Sequence, residues 1–349
     1  MAKLRIGLIA DVQYADIDDV WNYMHTHKRK YRSTLTALSN AVSWWSQIDD
    51  IDLLVDLGDA IDGYRNVDRV MGLHAIRNVM QKWNSFAIPR PEVPILHLIG
   101  NHELYKFTRE ELTKGVEDTG FTCACPETLV SMVDKPHSIH YSFPVRDRWR
   151  VVVLDPYDMS VMRNGGGRIG HELTKANGGI HAEYTAMCQS RNPNNIIDGG
   201  NFFKGISGLE SRWVPFNGGV GKDQLSWLES VLASSAEADE RVIVFTHIIL
   251  HPLATPHHDC HTLLWNYEEV LEVFEKYPCV KIVVAGHAHH DGYHRCEKTG
   301  IHHITLASPL EAPDDLVEST YGLLELPVNN DTHARLIGHG WISSRDLEV

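Results

Sequence analysis

Five short stretches of the chain carry residue types that bind cations or move protons: Asp11-Val12-Gln13, Gly58-Asp59-Ala60-Ile61-Asp62, Gly100-Asn101-His102-Glu103, Thr246-His247 and Gly286-His287-Ala288-His289-His290. This mixture of carboxylate, amide and imidazole donors suits two divalent cations a few ångströms apart, with one carboxylate free to bridge them. Such a pair clamps a phosphoryl group and lowers the pKa of the water between the metals. Histidine is abundant beyond these motifs: the chain has 22, and 11 of them fall within residues 247–303. Imidazole concentrated in this way points to metal binding, proton chemistry or both. Taken alone, Asp11 reads as a helix N-cap or a turn residue. Five such coincidences favour a site.

The elements that must position these residues are short aliphatic runs bounded by turn residues. Strands are expected at Leu4 to Ala10, Leu53 to Leu57, Val93 to Ile99, Trp149 to Leu154, Val242 to Phe245, Val280 to Ala285 and His302 to Leu306. Apolar residues at spacings of three and four predict helices over 28–46 and 67–83, and further helices fit 222–234 and 266–277. Alternating strands and helices imply an α/β layered fold. In such sheets the working site lies beyond the carboxyl ends of the strands, where all five motifs sit. The chain is expected to be one domain over 1–349. Residues 164–221, rich in Gly, Asn and Ser, form a loop-rich insertion of a length usually given to lids or substrate walls. Gly165 to Gly170 satisfies GxGxxG, but it neither directly follows a strand nor opens a clear helix, so no dinucleotide fold is assigned.

With 349 residues, 43% of them hydrophobic, the chain can bury a sizeable core. Its apolar runs are far too short for a membrane span, which takes about 20 residues, and its N-terminus reads as a first strand rather than a signal peptide. A formal charge of −14 argues against a general hold on nucleic acid. Six cysteines without a paired framework read as reduced thiols, making the cytoplasm the expected location. The expected oligomeric state is a monomer.

The ordered set Asp11-x-Gln13, Gly58-Asp59-x-x-Asp62, Gly100-Asn101-His102-Glu103, His247 and Gly286-His287-x-His289 resembles the calcineurin-like metallophosphoesterase superfamily, whose pattern is DxH, GDxxD, GNH(D/E), H and GHxH. That resemblance implies an α/β fold built as a four-layer α/β/β/α sandwich. It also implies that Asp11, Gln13, Asp59 and His289 hold one cation and that Asp59, Asn101, His247 and His287 hold the other. Gln13 replaces the usual histidine. An amide oxygen there makes the first site harder, favouring Mn²⁺, with Mg²⁺ possible, over zinc or iron. Glutamine at this position is also a feature of the manganese-dependent ADP-ribose/CDP-alcohol diphosphatase branch. Two further stretches resemble that branch: Asn217-Gly218-Gly219-Val220-Gly221 running into Gln224-Leu225-x-Trp227-Leu228, and Leu264-Trp265-Asn266-Tyr267. Ser/Thr phosphatases of the superfamily continue GDxxD with Arg-Gly, whereas Gly63-Tyr64 follows here. A phosphoprotein substrate is thereby disfavoured.

By the same resemblance, a hydroxide held between the metals attacks phosphorus, while His102 protonates the leaving oxygen and Asp62 orients His102 and raises its pKa. The alternative reading of His102 is a residue that only positions Asn101. The implied substrate is a small nucleoside diphosphate derivative such as ADP-ribose or CDP-choline. Tyr105 and Trp265 are the candidate base contacts. Arg163, Arg168, His251 and His290 are candidate contacts to phosphate or sugar. Two alternatives are a cyclic-nucleotide or general phosphodiesterase of the same fold and a non-catalytic scaffolding member. The scaffold reading predicts missing ligands, and only one of the seven is unusual.

Overall fold

The computed structural model describes residues 3–22, 25–66, 68–167, 181–197, 201–256, 260–329 and 331–349. Two six-stranded sheets form its centre. The first is built from β1 (Lys3–Ile9), β2 (Leu53–Asp56), β3 (Ile95–His97), β10 (Gly322–Pro327), β11 (His333–Gly338) and β12 (Arg345–Glu348), in the order β12-β11-β10-β1-β2-β3. The second comprises β4 (Tyr141–Pro144), β5 (Trp149–Val153), β6 (Arg241–Phe245), β7 (Val280–Ala285), β8 (Gly292–Arg295) and β9 (His302–Thr305), in the order β8-β9-β7-β6-β5-β4. Within the first sheet β1, β2 and β3 run parallel, and within the second β5, β6, β7 and β9 do. The remaining pairings are antiparallel.

The period of two along each strand assigns its faces. Leu4, Ile6, Leu8, Leu53 and Val55 of the first sheet share one core with Val151, Val153, Ile243, Phe245, Ile282 and Val284 of the second, so the sheets pack face to face. The alternate residues Ile9 and Leu54, and Val152, Val242, Val244 and Val283, belong to a second cluster with the helices. Helices α1 (Ser33–Trp45) and α2 (Arg69–Ala87) cover the first sheet through Leu38, Trp45, Ile76 and Trp83. Helices α3 (Lys222–Glu237) and α4 (Tyr267–Lys276) cover the second through Leu228, Leu232, Val270 and Phe274. The result is the expected α/β/β/α sandwich.

Trp45 fixes how closely α1 approaches. Its indole is fully buried, stacks on Trp83 at 5.9 Å and donates its Nε1–H to the carbonyl of Gly322. A Cβ at Gly7 would lie 2.7 Å from Trp45 Cε2, so the strand must carry glycine where the ring lands. Trp45→Ala is expected to cost about 3–5 kcal/mol of stability, measured as a lower urea midpoint at unchanged m-value.

All seven expected strands are present, within a few residues of their expected bounds. The helix expected from residue 28 begins at Ser33, because Lys28–Arg29 instead pairs with Val20–Trp21 in a small antiparallel ladder. Within the insertion, Ala182–Arg191 is a helix that buries Thr185 and Cys188. Among the described residues, no helix is long and apolar enough to cross a membrane. All six cysteines are free.

Candidate metal centre

The parallel strands deliver the polar residues to one rim. Asp11 and Gln13 follow β1, Asp59 and Asp62 follow β2, and Asn101, His102 and Glu103 form a short helical turn after β3. His247 follows β6, and His287 and His289 follow β7. Asp11, Gln13, Asp59, His287 and His289 all adopt positive φ, between 40° and 70°. Side chains other than glycine rarely occupy that region, and holding five of them there costs on the order of 1–3 kcal/mol each. The loops therefore store strain where the donors converge.

A backbone to side-chain contact ties the two sheets together at this rim: the His287 backbone N–H donates to Asp11 Oδ2 at 2.9 Å. Within the second sheet, Gly286 N–H donates to the His247 carbonyl at 3.0 Å. Glu103 braces the Asp59 loop from beneath, accepting the backbone N–H groups of Asp59, Ala60 and Gly100 at 2.7–2.9 Å. Burial, with the charges of Asp59 and Asp56, pushes its pKa up to about 8. Gly100 is required by the same close packing, because a Cβ there would overlap Asp59 Oδ1 and its backbone nitrogen.

Each of the three histidines has one ring nitrogen committed to an acceptor. His247 Nδ1 lies 2.7 Å from the carbonyl of Leu57, and His289 Nδ1 lies 3.0 Å from Glu311 Oε1. Neither acceptor can donate, so both Nδ1 atoms carry the proton. His287 Nε2 lies 2.8 Å from Asn217 Oδ1. The orientation of that amide is settled by its Nδ2, which donates to the carbonyls of Arg212, His261 and Leu263 at 2.8–3.2 Å. His287 Nε2 therefore carries its proton. The lone pairs left over, on His247 Nε2, His287 Nδ1 and His289 Nε2, face the cluster.

There the geometry asks for positive charge. The two ring nitrogens left over on His247 and His287 approach to 3.1 Å, and His247 Nε2 stands 3.4 Å from Asp59 Oδ2. One donor atom each of Asp59, His247 and His287 lies within 4.8 Å of the others. Asp11 Oδ1 is buried with no partner among the described residues, 3.6 Å from His289 Nε2 and 4.0 Å from His247 Nε2. Gln13 Oε1 is likewise buried without a partner, while its Nε2 caps the His289 lone pair at 2.8 Å and Asp59 Oδ2 at 3.0 Å. Burial pushes Asp11 up to about 6. Burial opposes ionisation of Asp59 too, but His247 and His102 outweigh it and hold that carboxyl well below the usual range. Against its own burial, His247 is held up to about 10 by Asp59. A proton there stands in for missing charge. Facing lone pairs, orphaned buried oxygens and acceptor-locked imidazoles fit a site for divalent cations.

His102 flanks this cluster. Its backbone N–H donates to Asp59 Oδ1 at 2.8 Å, and its Nδ1 accepts the Gly63 N–H at 2.9 Å. The ring proton is thus on Nε2, which lies 3.9 Å from Asp59 Oδ2. Asp62 Oδ2 is 3.7 Å from Nδ1, beyond hydrogen-bonding distance. Asp62 instead accepts the backbone N–H groups of Tyr64 and Arg65 at 2.8 and 2.6 Å, holding the turn that presents Gly63. Its orienting effect on His102 runs through that turn, while its charge acts on the ring directly and favours protonation, as expected. Burial outweighs the upward pull of Asp59 and Asp62, so the net shift of the His102 pKa is downward.

Among the described residues, those expected to contact substrate have partners of their own. Trp265 is buried, stacks on Trp213 at 5.5 Å and donates its indole N–H to the carbonyl of Val214, so it has no face to offer a base. Tyr105 is buried against Tyr64 and His102, and its hydroxyl accepts the Asn101 Nδ2–H at 3.0 Å. Its part is to orient Asn101, whose Oδ1 accepts the Tyr157 hydroxyl at 3.2 Å. His251 caps a short turn through Leu253 N–H, stacks on His294 at 4.4 Å and lies tilted against His303 at 4.8 Å. Burial, with His294, pushes it down to about 4. Arg163 binds Asp158, and Arg168 lies outside the described residues. His290 packs edge-on against His27 and Trp341 beside the centre.

The contacts of Asn217, Glu311 and Tyr157 with the centre emerge from the structure. Glu311 was within reach of the strand-end rule, because it follows β9 as the metal-centre motifs follow their strands. Asn217 belongs to the insertion, whose end packs Phe216 against His287 at 5.8 Å.

A dinuclear phosphoesterase centre is the class that this fold and rim define. The chain belongs to the calcineurin-like phosphoesterase family, whose sequence profile matches residues 4–291. Proteins named manganese-dependent ADP-ribose/CDP-alcohol diphosphatase are similar over most of its length. The one from Arabidopsis thaliana is 32% identical across 98% of this chain and 96% of its own, and the human one is 34% identical across 88% and 83%. A crystal structure described as a dimetal phosphatase from Danio rerio superposes with a TM-score of 0.78 at 31% identity, covering 99% of this chain and 98% of that one.

Proposed function

We propose that this chain is a manganese-dependent hydrolase that cleaves the phosphoanhydride of ADP-ribose, CDP-choline and related nucleoside diphosphate-linked sugars or alcohols. Asp11, Gln13, Asp59 and His289 hold one cation, and Asp59, Asn101, His247 and His287 hold the other. The observation that carries this reading is the convergence of three acceptor-locked imidazole lone pairs on the carboxylates of Asp11 and Asp59. When bound, the cations neutralise the phosphoryl charge and lower the pKa of water. Oxygen donors on Asp11, Gln13 and Asp59 favour Mn²⁺, and the diphosphatases at 32–35% identity are named for it.

The protein's own groups do the rest. Asp59 fixes the His102 backbone through Oδ1, and Gly63 fixes the ring through Nδ1, so Nε2–H is the proton donor aimed at the leaving oxygen. Glu103 prevents the Asp59 loop from relaxing under the charge it gathers. The whole chain acts as one domain, because donors from both sheets are needed.

The test is hydrolysis of ADP-ribose and CDP-choline, compared with bis-nitrophenyl phosphate and a cyclic nucleotide, in Mn²⁺ and in Mg²⁺. The expected result is fastest turnover of the two nucleotide diphosphates in Mn²⁺. Absence of nucleotide-diphosphate turnover with any divalent ion overturns the reading. Turnover confined to the cyclic nucleotide identifies the phosphodiesterase alternative.

Asn217 supplies a finer prediction. Asn217→Leu removes the acceptor that locks His287, and the Mn²⁺ concentration giving half-maximal activity should rise about 10–100-fold. Turnover at saturating Mn²⁺ should stay near wild type, which a metal titration of activity checks.

A further inference from the structure

We infer that His27, His290 and Glu311 form a third cation site, selective for zinc-class ions and separate from the dinuclear centre. The three residues come from different segments, and one donor atom of each lies within 4.8 Å of the others. The two rings meet edge to face at 4.7 Å, and Trp341 packs against both, at 4.7 Å from His290 and 5.8 Å from His27. Glu311 is buried while both histidines are half-buried, so the triad opens towards solvent on its imidazole side. His290 Nε2 stands 4.0 Å from Glu311 Oε2. Zinc binds imidazole nitrogen at about 2.0–2.1 Å and carboxylate oxygen at about 2.0–2.2 Å, so small side-chain rotations close the triad on one ion. Three protein ligands leave one coordination position open.

The charges around Glu311 decide which ions are accepted. Its Oε1 accepts Arg29 Nε–H at 2.8 Å and His289 Nδ1–H at 3.0 Å, and its Oε2 accepts Asn22 Nδ2–H at 3.0 Å. Arg29 thus neutralises the carboxylate, leaving no net negative charge to attract a hard cation. Mg²⁺, Ca²⁺ and Mn²⁺, which depend on charged oxygen ligands, gain little here. The two imidazoles provide the affinity, which favours zinc, nickel, cobalt(II) and copper(II). The dinuclear centre is richer in oxygen donors and so accepts manganese more readily than the triad does. With manganese supplied in excess, the dinuclear centre fills with it and the triad is left for zinc.

Glu311 also couples them, on the reading given above that His289 is a ligand of the dinuclear centre. A cation on Oε2 withdraws electron density from the carboxylate that accepts His289 Nδ1–H, and the imidazole becomes a weaker donor at Nε2. Zinc added to the manganese-loaded enzyme is then expected to slow turnover, and His27→Ala to relieve the effect.

The experiment is zinc addition to manganese-loaded protein, read by elemental analysis after equilibrium dialysis and by anomalous scattering at the zinc and manganese edges from soaked crystals. We expect one zinc beyond two manganese ions, with a zinc-specific peak among His27, His290 and Glu311. His27→Ala should keep both manganese ions and bind the third cation at least about tenfold more weakly, since even an outer-shell partner is worth about 10–100-fold. Zinc that enters only by displacing manganese, with no peak at the triad of the wild-type crystal, overturns the proposal, as does a third zinc retained at full affinity by His27→Ala. A peak at the triad without a manganese pair supports the third site and defeats the reading of the dinuclear centre.

Discussion

Asp59→Ala is expected to lower turnover of ADP-ribose by at least about 10³-fold, with the protein still folded. The carboxylate serves two parts of the centre at once. Oδ2 faces His247 and Gln13, and Oδ1 holds the His102 backbone. Removing it deprives both proposed cation sites of a shared ligand and loosens the proton donor in the same step. Stabilisation of phosphoryl charge is worth several kcal/mol, and one electrostatic donor alone is worth about 10²–10³ in rate. The fold should tolerate the change, because Glu103 still braces the loop through Ala60 and Gly100. Steady-state rates in saturating Mn²⁺, with circular dichroism as the folding control, check this. Turnover within tenfold of wild type would remove Asp59 from the centre.

His102→Ala should cost less, about 10²-fold on ADP-ribose, at the lower end of general acid catalysis. The leaving group in a phosphoanhydride is itself a phosphate monoester, which departs with little protonation. The cost should therefore grow as the leaving group becomes more basic, and it should be small for bis-nitrophenyl phosphate. A series of substrates graded by leaving-group pKa measures this. A penalty equal across the series, or as large as that of Asp59→Ala on ADP-ribose, contradicts an acid role for Nε2–H and leaves His102 as a residue that positions Asn101.

The seven strands that carry or flank the site were legible because each is an apolar run ending in Gly or a polar cluster. The strands that escaped are mostly antiparallel and lie towards the sheet margins. His333–Gly338 alternates exposed and buried residues, and Gly292–Arg295 contains a single fully buried residue, so neither has an apolar run to announce it. The donors that converge at the rim were legible through motif spacing, but the strain was not: nothing in the residue types Gln13 or His289 signals positive φ. Asn217 and Glu311 each reach one imidazole of the cluster through a hydrogen bond, a relation that only the folded chain creates. Trp265 shows the converse. An aromatic residue near a predicted loop looks available for a base, yet its exposure depends on Trp213, which is distant in sequence.

The acidity of the chain also has a local meaning. A net charge of −14 should repel a diphosphate, but at the rim Asp11, Asp59 and three imidazoles enclose space that two divalent cations would make positive. The most direct measurement is the manganese content of the purified, manganese-loaded protein together with its electron paramagnetic resonance spectrum. A dinuclear centre predicts two Mn²⁺ per chain with the spectrum of an exchange-coupled pair, and loss of that coupling in Asp59→Ala. One isolated Mn²⁺ per chain, or an uncoupled spectrum at two per chain, would contradict it.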